Sequence, residues 1–144
     1  MMRVVHLLAE KGKSMQVWTI GPTQPVIDAV RLMAEKHIGA LPVMVDDKII
    51  GIITERDYAR KVILHDRSSA TTMVKEVMTE HVITVRPEDT VHFCMHMMTE
   101  KRFRHLPVVE KDKLIGMVSI GDLLKTVIDE QQQTIAQLEK YITS

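Results

Sequence analysis

The stretch HIGALPVMVDDKIIGIITERD, at residues 37–57, decides the fold because it returns as RFRHLPVVEKDKLIGMVSIGD at residues 102–122. The same shift of 65 residues aligns the flanking sequence without a gap, with residues 17–63 over residues 82–128. Of these 47 aligned pairs, 17 are identical, whereas chance would give about one identity in fifteen. The chain therefore contains a duplicated unit, and a site built by one copy should have a counterpart in the other.

Each copy predicts the same order of elements. A short β-rich run at residues 17–20, and again at 82–85, precedes a helix with apolar residues at i, i+3, i+4 and i+7. Two apolar runs around a polar turn then predict a β-hairpin, and a second helix starts at about Glu55 or about Ile120. The expected fold class is α+β, with two β-α-β-β-α copies in a pseudo-twofold arrangement and helices at both ends of the chain.

The chain divides into four expected parts. Residues 1–66 hold the first copy and an amphipathic N-terminal helix, and residues 67–72, RSSATT, have the composition of a linker. Residues 73–129 hold the second copy, and residues 130–144 extend its last helix.

That last helix, expected from about Gly121 to Ile142, carries a heptad pattern. Its positions are spaced alternately by four and three residues: Leu124, Ile128, Gln131, Ile135, Leu138 and Ile142. Such a stripe is typical of helix–helix contacts. It favours a contact between two subunits, and the alternative is packing against the rest of its own domain.

Composition narrows the class of protein. The 144 residues are 45% hydrophobic, enough to bury a sizeable core. Nineteen basic and nineteen acidic residues cancel, and only 3% of residues are aromatic, which disfavours a nucleic-acid partner or an anionic membrane surface. Cys94 is the only cysteine, so the chain forms no internal disulfide. No apolar run is long enough for a membrane span, and a cytoplasmic location is expected.

The polar residues after the second hairpin strand suggest a binding site. Thr54 lies where a strand ends and a helix begins, so its hydroxyl and the helix N–H groups could bind phosphate. Asp57, one turn later, could accept hydrogen bonds from both hydroxyls of a ribose. Ser119 and Asp122 repeat the pattern in the second copy. The pattern suits a ribonucleotide site, but S/T-x-x-D also suits a helix-capping box that needs no ligand.

Catalytic and metal motifs are missing from the sequence. It has no GxSxG motif and no P-loop, and no motif pairs its cysteine with a histidine, so no enzymatic activity is expected. His92 and His96 are spaced for one helix face, but no HExxH pattern accompanies them. No metal site is therefore predicted.

The GALPV and RHLPV segments, the D-K hairpin turns and the G-h-h-[TS]-x-x-D motifs occur in the same order in both copies. Together they resemble a CBS-domain pair, also called a Bateman module. The stretch TERDYARKV, followed by RSS, is similar to a stand-alone subgroup labelled as related to IMP dehydrogenase. The chain has no room for the catalytic barrel of that enzyme. The resemblance implies a regulatory module whose ligand lies in the cleft between the copies.

The resemblance also implies two sites, each shared between the copies. In the first, Thr54, Arg56 and Asp57 would face Ile83, Thr84, Phe103, Arg104, His105 and Pro107 of the second copy. In the second, Ser119, Gly121 and Asp122 would face Trp18, Thr19, Ile38, Gly39, Ala40 and Pro42 of the first copy. The first set contains two arginines and a histidine, which favour phosphate, so we expect it to bind more tightly. In the second set, Trp18 either packs against the base of the nucleotide or is a core residue.

The implied function is the sensing of an adenine nucleotide, AMP, ADP or ATP, with NAD(H) as a close rival. S-adenosylmethionine suits a basic cluster less well. We expect a homodimer that modulates an unidentified protein, without a membrane or nucleic-acid partner. The alternative is a ligand-independent dimerisation module that acts through the C-terminal helix.

Overall fold

A computed structural model describes residues 2–11 and 17–143 of the chain. Within these ranges the elements, in chain order, are α1 Val4–Lys11, α2 Val26–Lys36, β1 Ala40–Val45, β2 Lys48–Thr54, α3 Glu55–Asp57, α4 Val74–Val77, α5 Val91–Lys101, β3 His105–Glu110, β4 Lys113–Ser119 and α6 Ile120–Thr143. Helix α3 continues as a π-helical turn over Tyr58–Val62 and a 3₁₀ turn over Ile63–His65. This architecture confirms the expected α+β class, with one hairpin in each copy and a long C-terminal helix.

Each copy is centred on a two-stranded antiparallel sheet. Strands β1 and β2 pair so that Ala40 lies opposite Thr54, and β3 and β4 pair so that His105 lies opposite Ser119. Both residues of each turn have positive φ: Asp46, Asp47, Lys111 and Asp112. A two-residue turn with this backbone matches the right-handed twist of paired strands, so the turns favour the hairpins that the apolar pattern predicts.

The β-rich runs before α2 and α5 form less structure than predicted. Each makes a single parallel bridge to the hairpin of its own copy, Ile20 to Val43 and Val85 to Val108. The N–H of Ile20 donates to the carbonyl oxygen of Pro42 at 3.1 Å, and the second copy repeats this bond at 3.0 Å. A proline follows two residues after each bridge. Because proline has no N–H group, the pairing ends there.

The hydrophobic core consists of two clusters, one in each copy. The predicted apolar stripes of α2 and α5 supply the buried residues Val26, Ala29, Met33, Val91, Cys94 and Met98. The hairpins supply Leu41, Val43 and Ile53 to the first cluster, and Leu106, Val108 and Val118 to the second. Both stripes therefore face inward, as the periodicity predicts.

The short helices α1 and α4 are exchanged between the copies. Helix α1 precedes the first copy, yet its Val4 and Leu8 pack into the second cluster. Helix α4 follows the linker, yet its Val74 packs into the first cluster. Backbone hydrogen bonds fix both positions, from Val4 N–H to the Asp89 carbonyl oxygen at 2.8 Å and from Val74 N–H to that of Gln24 at 2.9 Å. The two copies are therefore interlocked.

Helix α6 packs on the second copy by its first turns only. Leu123 and Thr126 are buried, whereas every described residue from 131 to 143 is exposed. The apolar positions of the heptad stripe are exposed too, and Ile128 and Ile135 keep 51% and 54% of their surface. Packing of the stripe on its own domain, the alternative left open by the sequence, does not occur in the described part of the chain.

Candidate functional site

A pocket of about 580 Å³ lies between the two copies, at the end of β2. Residues of β2 and α3 form one wall, and the segment between α5 and β3 forms the other. The lining residues are Gly39, Ile52, Thr54, Glu55, Arg56, Asp57, Arg60, Lys61, Thr79, Arg102, Phe103, Arg104 and His105. The pocket therefore joins the T-x-x-D motif of the first copy to the RFRH segment of the second.

Thr54 and Asp57 form a complete capping box at the start of α3. The Asp57 N–H donates to the Thr54 hydroxyl at 3.0 Å, and the Thr54 N–H donates to the Asp57 carboxylate at 3.0 Å. The N–H of Glu55 donates to the carbonyl oxygen of Gly39 at 3.1 Å. These three N–H groups already have acceptors, so a phosphate at this helix start, which the sequence suggests, would have to use other donors.

Ser119 and Asp122 form the same box in the second copy. The Asp122 N–H donates to the Ser119 hydroxyl at 3.1 Å, and the Ser119 N–H donates to the Asp122 carboxylate at 2.9 Å. The capping alternative therefore applies to both motifs. A ligand role for either carboxylate has to rest on its other surroundings.

The Asp57 carboxylate has two partners from outside its capping box. The Lys61 ammonium, one turn later along the helix, lies 3.1 Å from Oδ1. The Thr79 hydroxyl donates to the same oxygen at 3.2 Å. Lys61 also donates to the carbonyl oxygen of Val77 at 3.0 Å. Asp57 keeps only 7% of its surface exposed, so these donors hold its carboxylate in one orientation at the pocket wall.

Thr79 reaches Asp57 because its segment pairs with β2. The N–H of Ile52 donates to the Thr79 carbonyl oxygen at 2.9 Å, and the Thr79 N–H donates back at 2.8 Å. A Cβ atom on Gly51 would lie 2.6 Å from the Met78 sulfur and 3.1 Å from the Thr79 carbonyl oxygen. Gly51 therefore allows the close crossing that brings Thr79 to the site.

Positive charge dominates the pocket. Five cationic side chains line it: Arg56, Arg60, Lys61, Arg102 and Arg104. Only the carboxylates of Glu55 and Asp57 oppose them among the lining residues, and five cations minus two carboxylates leave three positive charges. The chain as a whole has a formal net charge of zero. This local excess attracts an anion.

The RFRH segment is positioned by the end of α5. Arg102 has a φ of 59°, in the left-handed region, and there the helix ends and the chain turns toward β3. The imidazole of His105 then lies against the first copy, since a Cβ atom on Gly39 would be 3.3 Å from the ring. The absence of a side chain at Gly39 permits this contact.

Six of the nine residues expected at the first site meet in this pocket: Thr54, Arg56, Asp57, Phe103, Arg104 and His105. The other three lie elsewhere. Ile83 packs against the second core cluster, Thr84 is exposed, and Pro107 is buried within β3.

Of the residues expected at the second site, only one lines the pocket beside Asp57. Gly39 lines the Asp57 pocket instead. Trp18 packs against the first core cluster, and the Lys36 ammonium lies 4.2 Å from its ring centroid, a cation–π distance. This placement supports the core alternative for Trp18. Of the other expected residues, Ile38 packs against the same cluster, Ala40 and Pro42 are buried in β1, and Thr19 and Gly121 are exposed.

Five polar or charged lining residues were not predicted from the sequence: Glu55, Arg60, Lys61, Thr79 and Arg102. The spacing of Asp57 and Lys61, four residues apart at the start of a helix, is one that indicates an ion pair, so that contact was open to prediction. Thr79 is 22 residues from Asp57 and reaches it only through the pairing with β2.

The metal-ligating and nucleophilic side chains of the described residues point to no further candidate site. Within residues 2–11 and 17–143, no group of three His, Cys, Asp or Glu side chains could hold a metal ion, and no helix is long and apolar enough to cross a membrane. His96 pairs with Glu100 at 3.2 Å. Cys94 is fully buried, and burial raises the pKa of its thiol to about 11, so it behaves as a core residue.

Comparison with known proteins identifies the duplicated unit. The CBS-domain family model matches residues 13–64 and 74–129. The chain is 42% identical over 146 residues to the mitochondrial CBS domain-containing protein CBSX3 of Arabidopsis thaliana, over 96% of this chain and 71% of that protein. It is 50% identical to a solved protein with CBS domains from Burkholderia ambifaria, with a TM-score of 0.84 over 90% of this chain and 96% of the other.

Two further solved structures share the fold. The hexameric CBS-CP12 protein from bloom-forming cyanobacteria is 30% identical, with a TM-score of 0.75 over 85% of this chain and 70% of the other. The CBS domain pair of protein MJ0100, in complex with 5′-methylthioadenosine and S-adenosyl-L-methionine, is 21% identical, with a TM-score of 0.74 over 90% and 98%. Proteins of this fold thus include an oligomer and one that binds adenosine derivatives.

Proposed function

Because this chain belongs to the CBS-domain family, we propose that it is a regulatory module that binds an adenine nucleotide in the pocket beside Asp57. One observation carries the proposal: a buried carboxylate suited to ribose hydroxyls shares a pocket with the arginines of the other copy. A ligand that touches both copies binds best to one arrangement of them, so it can shift the module between two states. The module would act on an unidentified protein and would not itself catalyse a reaction.

The charge of the pocket selects among the candidate ligands. An excess of three positive charges, five cations less two carboxylates, favours AMP, ADP, ATP or the pyrophosphate of NAD(H). S-adenosylmethionine carries a sulfonium charge that the arginines would repel, so it is less favoured here, although MJ0100 binds it. The cavity of about 580 Å³ falls within the range of ordinary small-molecule sites.

We propose that the Asp57 site binds more tightly than any site at Asp122. The position that corresponds to Lys61 in the second copy is Thr126, whose hydroxyl donates to the Asp122 carbonyl oxygen at 3.1 Å. Gly39, which was expected to serve Asp122, contributes to the Asp57 pocket. Gly39 and Thr126 stand at the positions that correspond to Arg104 and Lys61, so a site at Asp122 would offer fewer positive charges to a phosphate.

A thermal-shift panel on the nucleotide-stripped protein tests the proposal, with AMP, ADP, ATP, NAD⁺, NADH and S-adenosylmethionine. Ligand at about 100 times its dissociation constant stabilises the folded state by roughly 2.7 kcal/mol, which raises the Tm by several degrees. Asp57→Ala should remove the shift, whereas Asp122→Ala should leave most of it. The two variants are matched, because each loses one capping box. Equal losses would contradict the ranking of the sites, and no shift with any ligand would contradict the function.

A second candidate function is ligand-independent dimerisation through α6. The exposed heptad stripe favours it, because Ile135 and Leu138 keep 54% and 56% of their surface in the single chain. Removal of the residues after Asp129 should then convert a dimer to a monomer in light scattering, while the nucleotide panel has no effect. A dimer that persists after the removal would contradict it.

The homodimer is part of both candidate functions and stays a proposal. The cytoplasmic location also stays a prediction, since the Arabidopsis relative is a mitochondrial protein. Light scattering of the full chain and localisation of a tagged copy would test the two statements.

A further inference from the structure

We propose that Lys61 is an internal competitor for the Asp57 carboxylate, displaced by the ribose of a nucleotide and then bound by its phosphate. The proposal rests on the proposed function, because it concerns how the same pocket distinguishes a nucleotide from a nucleoside. It is carried by the contacts that Asp57 and Lys61 make at the pocket.

The contacts of Asp57 already use its acceptor capacity. Two carboxylate oxygens offer about four lone-pair positions. They receive the N–H and the hydroxyl of Thr54 at 3.0 and 3.1 Å, the Thr79 hydroxyl at 3.2 Å and the Lys61 ammonium at 3.1 Å. A ribose diol needs two acceptor positions. About two of the four present donors therefore have to leave when both ribose hydroxyls bind.

Lys61 is the donor that leaves most easily. The Thr54 N–H is fixed by the capping box, and Thr79 lies on a backbone that is paired with β2. The Lys61 side chain keeps 44% of its surface exposed, and its ammonium also has the Val77 carbonyl oxygen at 3.0 Å. Its flexible stem lets the ammonium turn from Asp57 into the pocket that it lines, and an ammonium is a good phosphate partner.

This exchange makes the pocket selective for phosphorylated ligands. A nucleoside must break the ion pair between Lys61 and Asp57 and leaves the ammonium without a new anion. A nucleotide breaks the same pair but supplies phosphate oxygens in return. The second copy has Thr126 at the corresponding position, so this position supplies no lysine to Asp122.

Calorimetric titration of the full chain with adenosine and with ADP tests the proposal in three proteins. In Lys61→Met, the freed carboxylate should bind adenosine about threefold more tightly, and the lost cation should weaken ADP about threefold. The ratio of ADP affinity to adenosine affinity should therefore fall about tenfold relative to the wild type. Arg60→Met removes a cation from the same pocket without releasing Asp57, so it should weaken ADP without the gain in adenosine affinity that Lys61→Met shows.

The outcomes separate this proposal from the proposed function. If Lys61→Met weakens adenosine or leaves its affinity unchanged, Lys61 is not a competitor and the proposal is wrong, while ADP binding to the wild type keeps the function intact. If the wild type binds neither adenosine nor any nucleotide of the thermal-shift panel, both are overturned. Lys61→Gln, which keeps a donor for the Val77 carbonyl oxygen, repeats the measurement if the methionine variant is unstable.

Discussion

Replacement of Gly51 by alanine should loosen the junction between the copies and the nucleotide site together. The new Cβ atom would lie 2.6 Å from the Met78 sulfur, which can rotate away, and 3.1 Å from the Thr79 carbonyl oxygen. That oxygen cannot rotate away, because it accepts the Ile52 N–H at 2.9 Å. Overpacking of this kind costs about 1–3 kcal/mol, and the loss of unfolded-state freedom returns about 0.4–1 kcal/mol. From the midpoints of these ranges, the net loss of unfolding free energy is about 1.3 kcal/mol.

Gly116→Ala is the matched control in the second copy. Its Cβ atom would lie 2.7 Å from a terminal methyl of Leu8, and its three nearest neighbours are all Leu8 side-chain atoms. A side chain can adjust where a paired backbone cannot, so this variant should cost less and leave Thr79 in place. At about 3 °C per kcal/mol for a chain of this size, Gly51→Ala should lower the Tm by about 4 °C.

Thermal unfolding and ADP titration of the two variants check this reasoning. Only Gly51→Ala should weaken ADP, because only it displaces the segment that carries Thr79. A Gly51→Ala protein with the Tm and ADP affinity of the wild type would refute the steric argument. Equal loss of ADP binding in Gly116→Ala would refute the link to Thr79.

Three smaller predictions concern single side chains. Burial raises the pKa of Cys94 to about 11, so a disulfide reagent at pH 8 should label the native thiol at least about a hundredfold more slowly than the urea-unfolded one; similar rates would contradict this. The N–H of Met73 donates to the Glu76 carboxylate at 2.7 Å and lowers the pKa of that carboxyl. At a pH above the ordinary glutamate pKa, the ionised Glu76 therefore stabilises the folded state. This stabilisation is lost as the pH falls through the lowered pKa. In urea unfolding at acidic pH, the unfolding free energy of Glu76→Gln should therefore change less with pH than that of the wild type. An equal change in both proteins would contradict the role of Glu76. Lys36→Ala should change the fluorescence of Trp18, the only tryptophan, and cost about 0.5–1 kcal/mol; an unchanged spectrum would deny the cation–π contact.

The hairpins and the helical stripes were predictable because they depend on local patterns. Alternation of apolar runs and polar turns specifies a hairpin wherever it lies, and the i, i+3, i+4, i+7 spacing specifies the buried face of α2. The exchange of α1 and α4 was not predictable. An apolar stripe such as Val4 and Leu8 fits either cluster equally well, and only the path of the chain decides which one receives it.

Some residues of the candidate site were likewise predictable from local patterns, and others were not. Thr54 and Asp57 follow from a spacing within one turn of helix, and the RFRH segment follows from the alignment of the two copies. The position of Thr79 at the site depends on the pairing of the segment after α4 with β2. This close crossing of two backbones needs a glycine at position 51. Arg102 depends on a helix end with a left-handed residue. Neither feature leaves a periodic trace in the sequence.

The interlocked helices also set the order in which the chain can fold during synthesis. All the buried residues of the first cluster have been made once Val77 has left the ribosome, because Val77 is the last of them along the chain. The second cluster needs Leu123 as well as Val4, and the ribosome takes about 2–9 s to add the 46 residues between positions 77 and 123. For that interval the apolar side chains of α1 have no cluster to join. The nascent chain should therefore expose its N-terminal helix to chaperones until the second hairpin emerges.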